Sequence, residues 1–331
     1  MRLDLAAYTR ALAAARLDLA VGFNPDKHPR DHNGRWAHVN WDPGQHSMAD
    51  LFDNRPSRPT DTQDLHTFRD PATGNYRYTD DRAAFHRGVI ASFLQGKTAT
   101  GAPSARFSAG GPASGKSSVV QPTSNEVHID LDQLREQIPE YQRMIQQGER
   151  SAPFLSQKEA HDMAALLTAE ATDRGLDVVI DGTGRAPDFP DQLLDFVDRG
   201  YRVAVSYVDI PTDEAIKREQ DRRAKTGRGV NHDFLRDVHG QVARRFKDVL
   251  RLAKEGDVDL ELWDNTGTKP ERIAHVQDGE LTVSDLPKMR AFLKKGDSGR
   301  GSGNRAAGRP VGQASLPVKP KGLASVSAAK R

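Results

Sequence analysis

No cysteine occurs among the 331 residues. Disulfides, thiolate nucleophiles and cysteine-ligated zinc are therefore excluded, and a cytoplasmic setting is the natural expectation. Aromatic residues are sparse at 6%, and hydrophobic residues reach only 36%, with a mean hydropathy of −0.69. So little apolar content over this length suits one packed core with irregular flanks. No apolar run approaches the roughly 20 residues that a membrane-spanning helix needs, so no membrane partner is expected. Neither sign of charge is in excess, since 48 Lys and Arg against 46 Asp and Glu leave +2. That balance argues against nucleic acid as the main partner. Asp4, Arg10, Arg16 and Asp18 interrupt the leucines and alanines of residues 1–20. A secretory leader does not interleave charge in this way, and the helical spacing predicts a short amphipathic helix.

The chain divides by composition. Residues 1–75 are that helix and a largely irregular stretch rich in Pro, Asp, Asn, Gly and His. Residues 291–331 form a basic tail: from Gly296 onward seven Lys or Arg stand against one Asp, a disorder-type composition. Residues 76–290 hold the periodic signal. Phe85, Val89, Ile90, Phe93 and Leu94 share one helix face. Strands are then predicted at 105–109, 126–129, 177–180, 203–208 and 260–263. Helices are predicted from Gly115, over 159–174, 191–198, 213–225 and 232–254, the last with Phe234, Val238, Val242, Phe246, Val249 and Leu250 on one face. Alternation of this kind predicts an α/β fold, a doubly wound parallel sheet with flanking helices of the P-loop NTPase or kinase type.

The chemistry concentrates at strand ends. Gly110-Gly111-Pro112-Ala113-Ser114-Gly115-Lys116-Ser117 fits Gly-x4-Gly-Lys-Ser between a strand and a helix, the pattern of a nucleotide phosphate-binding loop. Small residues let backbone N–H groups turn towards phosphate oxygens. Lys116 is placed to reach the β- and γ-phosphates, Ser117 to ligate Mg²⁺, and Ser118 to complete the nucleotide-binding set. ATP or GTP with Mg²⁺ is implied. The second strand ends in Ile129-Asp130-Leu131-Asp132, two carboxylates that suit a general base and a metal or substrate contact, where a helix cap would account for one. The third ends in Asp181-Gly182-Thr183-Gly184-Arg185, with Asp181 beside the metal and Thr183 and Arg185 towards the acceptor. Arg218, Arg222 and Arg228 are candidates to neutralise charge on the transferred phosphoryl group, with Arg222 and Arg228 preferred. Asn265, in the loop after the last core strand, is expected beside the nucleotide base.

Together these pieces resemble the zeta-toxin family of P-loop kinases over about residues 104–278. The matching residues are Gly110 to Ser117, Ile129-Asp130-Leu131-Asp132 with Arg135, Ile138-Pro139-Glu140-Tyr141, Asp181 to Arg185, Thr226-Gly227-Arg228 and Trp263-Asp264-Asn265. The resemblance implies ATP- or GTP-dependent phosphorylation of a sugar hydroxyl, typically on UDP-N-acetylglucosamine, and an antitoxin partner. It implies Asp132 as the base and Lys116, Arg222 (or Arg218) and Arg228 on the phosphates; Asp130 and Arg135 are expected on the acceptor side. Departures concern the acceptor. Ala165 stands where the family's toxins carry a substrate-binding glutamate, Ile138 replaces a common histidine, and no proline follows Val230. A second resemblance, to phage head-morphogenesis proteins, rests on Phe23 to Trp36. The two histidines there, His28 and His32, read as solvated side chains. Two other readings stay open from residues alone: a kinase of another hydroxyl (antibiotic, simple sugar or polynucleotide end), and a phage-associated protein that binds nucleotide without turnover.

Overall fold

The computed structural model describes residues 61–71, 76–149, 151–226 and 232–298. The amphipathic helix of residues 1–20, the Phe23 to Trp36 segment, Arg228 and the basic tail from residue 299 lie outside these.

In chain order the elements are α1 (Thr62–Leu65), β1 (Thr67–Arg69), β2 (Tyr76–Tyr78), α2 (Asp80–Leu94), β3 (Ser104–Ala109), β4 (Val127–Ile129), α3 (Leu131–Glu136), α4 (Pro139–Gln146), α5 (Ala152–Leu155), α6 (Gln157–Asp173), β5 (Val178–Asp181), α7 (Phe189–Asp198), β6 (Arg202–Asp209), α8 (Thr212–Thr226), α9 (His232–Glu255), β7 (Asp259–Asp264), β8 (Glu271–Gln277), β9 (Glu280–Val283) and α10 (Leu286–Ser298). Seven strands form one sheet in the order β4-β5-β3-β6-β7-β8-β9. The first five are mutually parallel. From β3 the chain winds out to β4 and back to β5, then crosses to β6 and β7. The winding direction therefore reverses at β3, and the crevice at the carboxyl end of β3 is where an open α/β sheet binds its ligand.

One face of the sheet carries the core. Ala105, Phe107, Val205, Tyr207, Leu260 and Leu262 are buried on it, as the period of two along each strand requires. Phe107 meets Phe189 and Phe196 of α7 edge-to-face. Tyr207 meets Phe246 of α9, which in turn meets Phe292 of α10. The other face is polar at β3, β6 and β7: Arg106 pairs with Glu126 at 2.6 Å, and Ser206 and Arg272 bond Glu261.

That polar face carries no helix from the glycine loop, contrary to the sequence expectation of one starting at Gly115: Lys116–Ser118 make a single 3₁₀ turn. Pro122 disfavours a helical residue before it and supplies no N–H, so β-branched Val119 and Val120 are not carried into a longer helix. Four other expectations change. The sheet does not end at β7, because β8 and β9 add an antiparallel hairpin turned by Asp278 (φ 51°) and Gly279 (φ 78°). Helix α10 occupies residues assigned to the tail, and Phe234 faces outward while Leu235 is buried. Residues 62–69, placed in the irregular stretch, form α1 and β1.

These first elements are clasped to α6 by buried polar groups. Glu159 is fully buried and accepts from Arg82 Nε at 2.5 Å and His86 Nε2 at 2.8 Å. Arg82 also reaches Glu140 at 2.7 Å. Asp162 accepts from Gln63 at 2.5 Å and the Tyr78 hydroxyl at 2.6 Å. Burial alone would raise the Glu159 pKa; the bonds from His86 and Arg82 outweigh it and hold the carboxyl at about 2. A carboxyl depressed in the folded state stabilises above its unfolded pKa, and that contribution fades as pH falls from about 4.5 towards 2. Glu159→Gln leaves Arg82 partly uncompensated and is expected to cost about 3–5 kcal/mol in urea unfolding at pH 7, with a smaller difference from wild type at pH 3.

Candidate active site

Three side chains hold the carbonyls of the glycine loop. Lys116 Nζ donates to the carbonyl of Gly110 at 3.3 Å. His239 Nε2 donates to that of Pro112 at 3.0 Å. Asn265 Nδ2 donates to those of Ser114, at 2.8 Å, and Gly115, at 3.4 Å. The Gly111 carbonyl takes the Ser114 amide. With these carbonyls engaged by protein donors, the loop's amides are available to a ligand. Among the described residues no backbone acceptor meets the amides of Gly111, Ala113 or Gly115. Ser114 is buried, and its Oγ has no partner among them. Ala113 has φ 62° and Gly115 φ 78°, so successive peptides curl into a concave donor array that suits phosphate oxygens. Glycine is required at 115 twice over: φ is positive, and a Cβ there would lie 2.3 Å from Asn265 Nδ2.

Three carboxylates face this loop from neighbouring strand ends. One ligand atom from each of His128, Asp130 and Asp181 lies within 4.8 Å of the others. Asp181 accepts from Ser108 Oγ and from His128 Nε2 at 3.0 Å, while Gln133 donates to His128 Nδ1 at 2.9 Å. Burial opposes ionisation of Asp181, but the bonds from His128 and Ser108 and the charge of Lys116 prevail, so its pKa lies below the ordinary range. His128 is raised, first by its bond to Asp181. Asp130 caps α3, accepting the Asp132 amide at 2.8 Å; burial and the charges of Asp181 and Asp132 push its carboxyl up. Asp132 sits in the first helical turn, 66% exposed, and is held by Arg135. Arg135 is buried and also bonds Gln157, so it aims Asp132 from the protein side. Desolvation lowers the Lys116 pKa, with Asp181 and Asp130 opposing and Arg222 assisting.

The remaining sequence-derived residues separate into groups. The Thr183 carbonyl accepts the Gly110 amide at 3.0 Å, joining the Asp181 loop to the glycine loop. Arg185 lies over Phe234 and bonds Gln241 of α9 at 2.9 Å. Arg218 is tied to the Asn265 carbonyl at 2.9 Å and to Glu214, whereas Arg222, 3.3 Å from Glu219, is the arginine whose charge reaches Lys116. Ser118 Oγ bonds back to Gly115 at 2.7 Å, and Ser117 is exposed beside it. Ala165 is buried. His128, His239 and Ser108 were not anticipated. The one available signal was His128 itself, a polar residue in an apolar strand two positions before Asp130.

Fold and loop together define a P-loop nucleotide-binding α/β domain. Comparison with known proteins narrows this. Residues 90–267, more than half of the chain, match the family described as Zeta toxin, and the chain belongs to that family. Proteins named Toxin zeta from Enterococcus hirae and Streptococcus pyogenes are each 27% identical over 128 residues, which is 37% of this chain and 45% of theirs. The chain thus spans a little under half the length of these relatives. Among solved structures, the native AvrRxo1-ORF1:AvrRxo1-ORF2 complex has a TM-score of 0.55 at 12% identity, covering 71% of this chain and 82% of that one. The same complex has also been solved with ATP, at a TM-score of 0.53. At such identity these structures establish the shared fold. Among the described residues no helix is long and apolar enough to cross a membrane.

Asn265→Asp removes the donor that restrains two loop carbonyls and sets a carboxylate against them. Nucleotide affinity measured by calorimetry is expected to fall at least tenfold, the scale of one lost buried hydrogen bond with repulsion; unchanged affinity would mean that the loop holds its shape without that amide.

Proposed function

We propose that this chain is a phosphotransferase that moves the terminal phosphoryl group of ATP or GTP to a hydroxyl of a small acceptor, with a sugar hydroxyl such as that of UDP-N-acetylglucosamine as the preferred class. One observation carries the reading: an exposed carboxylate, Asp132, is held by a buried arginine close enough to the glycine loop for its charge to act on Lys116, as does that of Asp181. In the proposed step the Asp132 carboxylate takes the proton of the acceptor hydroxyl. The acceptor oxygen bonds the terminal phosphorus while the bond from that phosphorus to the bridging oxygen breaks, and the nucleoside diphosphate leaves with the electron pair. Loop amides and Lys116 hold the phosphates in line. Ser117 and Asp181 are the side chains that would hold Mg²⁺, which when bound would supply positive charge to neutralise the phosphates. The ionised state of Asp181 and its spare lone pairs suit that task. Arg222 and Arg228 are assigned to the equatorial oxygens. Asp130, Arg135, Thr183 and Arg185 are assigned to the acceptor side. The ATP named in one structural neighbour and the second protein in that complex are in keeping with nucleotide use and a protein partner, which we assign as an antitoxin from membership of the Zeta toxin family.

Asp132→Ala is expected to lower transfer to UDP-N-acetylglucosamine by about 10²–10⁴-fold, the range of one general base, with nucleotide affinity within twofold of wild type. Labelled ATP reports the first quantity and calorimetry the second. Full transfer by the variant would contradict the base assignment. Transfer by wild type to other hydroxyls alone would leave the base in place and replace the acceptor.

A further inference from the structure

The back of the glycine loop rests on a histidine that no part of the proposed phosphoryl transfer uses. His239 of α9 is 2% exposed. Its ring fills the space beneath Gly111 so closely that a Cβ on that glycine would lie 2.3 Å from Cδ2 and 2.4 Å from Nε2. Its Nε2 faces the Pro112 carbonyl at 3.0 Å. A carbonyl can only accept, so Nε2 carries the proton. Nδ1 faces Asp209, 4.0 Å away at the end of β6. Lys295 of α10 grips both oxygens of that carboxylate at 2.7 and 2.8 Å and also bonds the Ile210 carbonyl at 2.5 Å. The Asp209 backbone carbonyl accepts the amide of Asn265, the residue that restrains Ser114 and Gly115.

We infer that His239 is a positioning residue for the nucleotide: by holding the Pro112 carbonyl out of the crevice it fixes the direction of the loop amides that meet the phosphates. Lys295 and Asp209 complete the support and link the C-terminal helix to the loop. Burial, opposed by the Pro112 bond and assisted by the charges of Lys295 and Lys116, brings the His239 pKa down to about 4. The ring is therefore neutral at physiological pH, with its single proton on the side the carbonyl needs. An ion pair already closed between Lys295 and Asp209 leaves that carboxylate little pull on a second proton at Nδ1.

The inference rests on the reading of the loop as a nucleotide phosphate site, and its test separates the two. His239→Phe keeps a ring of similar size under Gly111 and removes the donor. His239→Gln removes the ring and restores a donor at about the Nε2 position. Both are titrated with ATP and Mg²⁺ by calorimetry, with thermal melts to verify folding. Wild type is expected to bind, His239→Phe about tenfold more weakly, and His239→Gln within threefold of wild type. Where transfer is followed, the KM for nucleotide is expected to rise in His239→Phe while the KM for acceptor is unchanged. Equal affinity of His239→Phe and wild type, or equal weakness of the two variants, overturns the positioning role. Absence of binding by wild type instead removes the nucleotide reading beneath it. Should His239→Phe not fold, Gly111→Ala in wild type and in a His239→Ala background carries the test. The added methyl is expected to weaken binding tenfold or more in the first and by less than threefold in the second, and equal losses contradict the inference.

Discussion

The site depends on where the carbonyls of the glycine loop are held. A peptide that offers its N–H to a phosphate must send its C=O the other way, and a buried C=O without a donor is costly. Lys116, His239 and Asn265 meet that demand at Gly110, Pro112, Ser114 and Gly115. These donors come from the loop itself, α9 and the end of β7. The curl of the loop is therefore a property of the whole sheet and its C-terminal helices, although the motif is eight residues long. A glycine loop in isolation would have no reason to keep its amides pointed inward before a nucleotide arrives.

The carboxylates follow the same logic of support from the protein side. Asp130 spends its side chain on capping α3, and that cap sets the turn in which Asp132 stands exposed. Arg135, buried between Asp132 and Gln157, fixes the direction of the exposed group. Asp181 is kept ionised by Ser108 and His128 beside the amine of Lys116. Neighbouring groups of opposite tendency, one carboxyl pushed up and one held down, are a frequent mark of a catalytic centre. Here both shifts have a physical source in the structure.

Much of this could be read from the chain. The alternation of strands and helices located all five parallel strands to within a residue or two: β5 is a continuous apolar run, while β3, β6 and β7 place apolar residues at every second position between polar ones. The glycine loop and the carboxylates announced themselves as short polar punctuation after those runs. What escaped lies where pairing or distance decides. Asp278-Gly279 is a type I′ hairpin signal, but β9 is four largely exposed residues and β8 mixes charged and polar side chains among its apolar ones, so neither was anticipated. Pro122 carried the information that shortens the loop's helix to one 3₁₀ turn. Tertiary packing alone decides that Leu235 is buried while Phe234 is not, and that Arg218 is occupied by Asn265 while the charge of Arg222 reaches the loop. His239 is 127 residues from Pro112 along the chain, and no local pattern connects them.

Membership of the Zeta toxin family and the grouping of the glycine loop with the carboxylates of Asp130, Asp132 and Asp181 support the proposal that the chain phosphorylates a small hydroxyl acceptor in the cell. The most direct measurement is mass spectrometry of the nucleotide-sugar pool in a bacterium expressing the wild-type chain, set beside Lys116→Ala expressed to the same level. The account predicts a phosphorylated UDP-sugar with the wild type and none with the variant. Identical pools in the two, with no new phosphorylated metabolite in either, would contradict it.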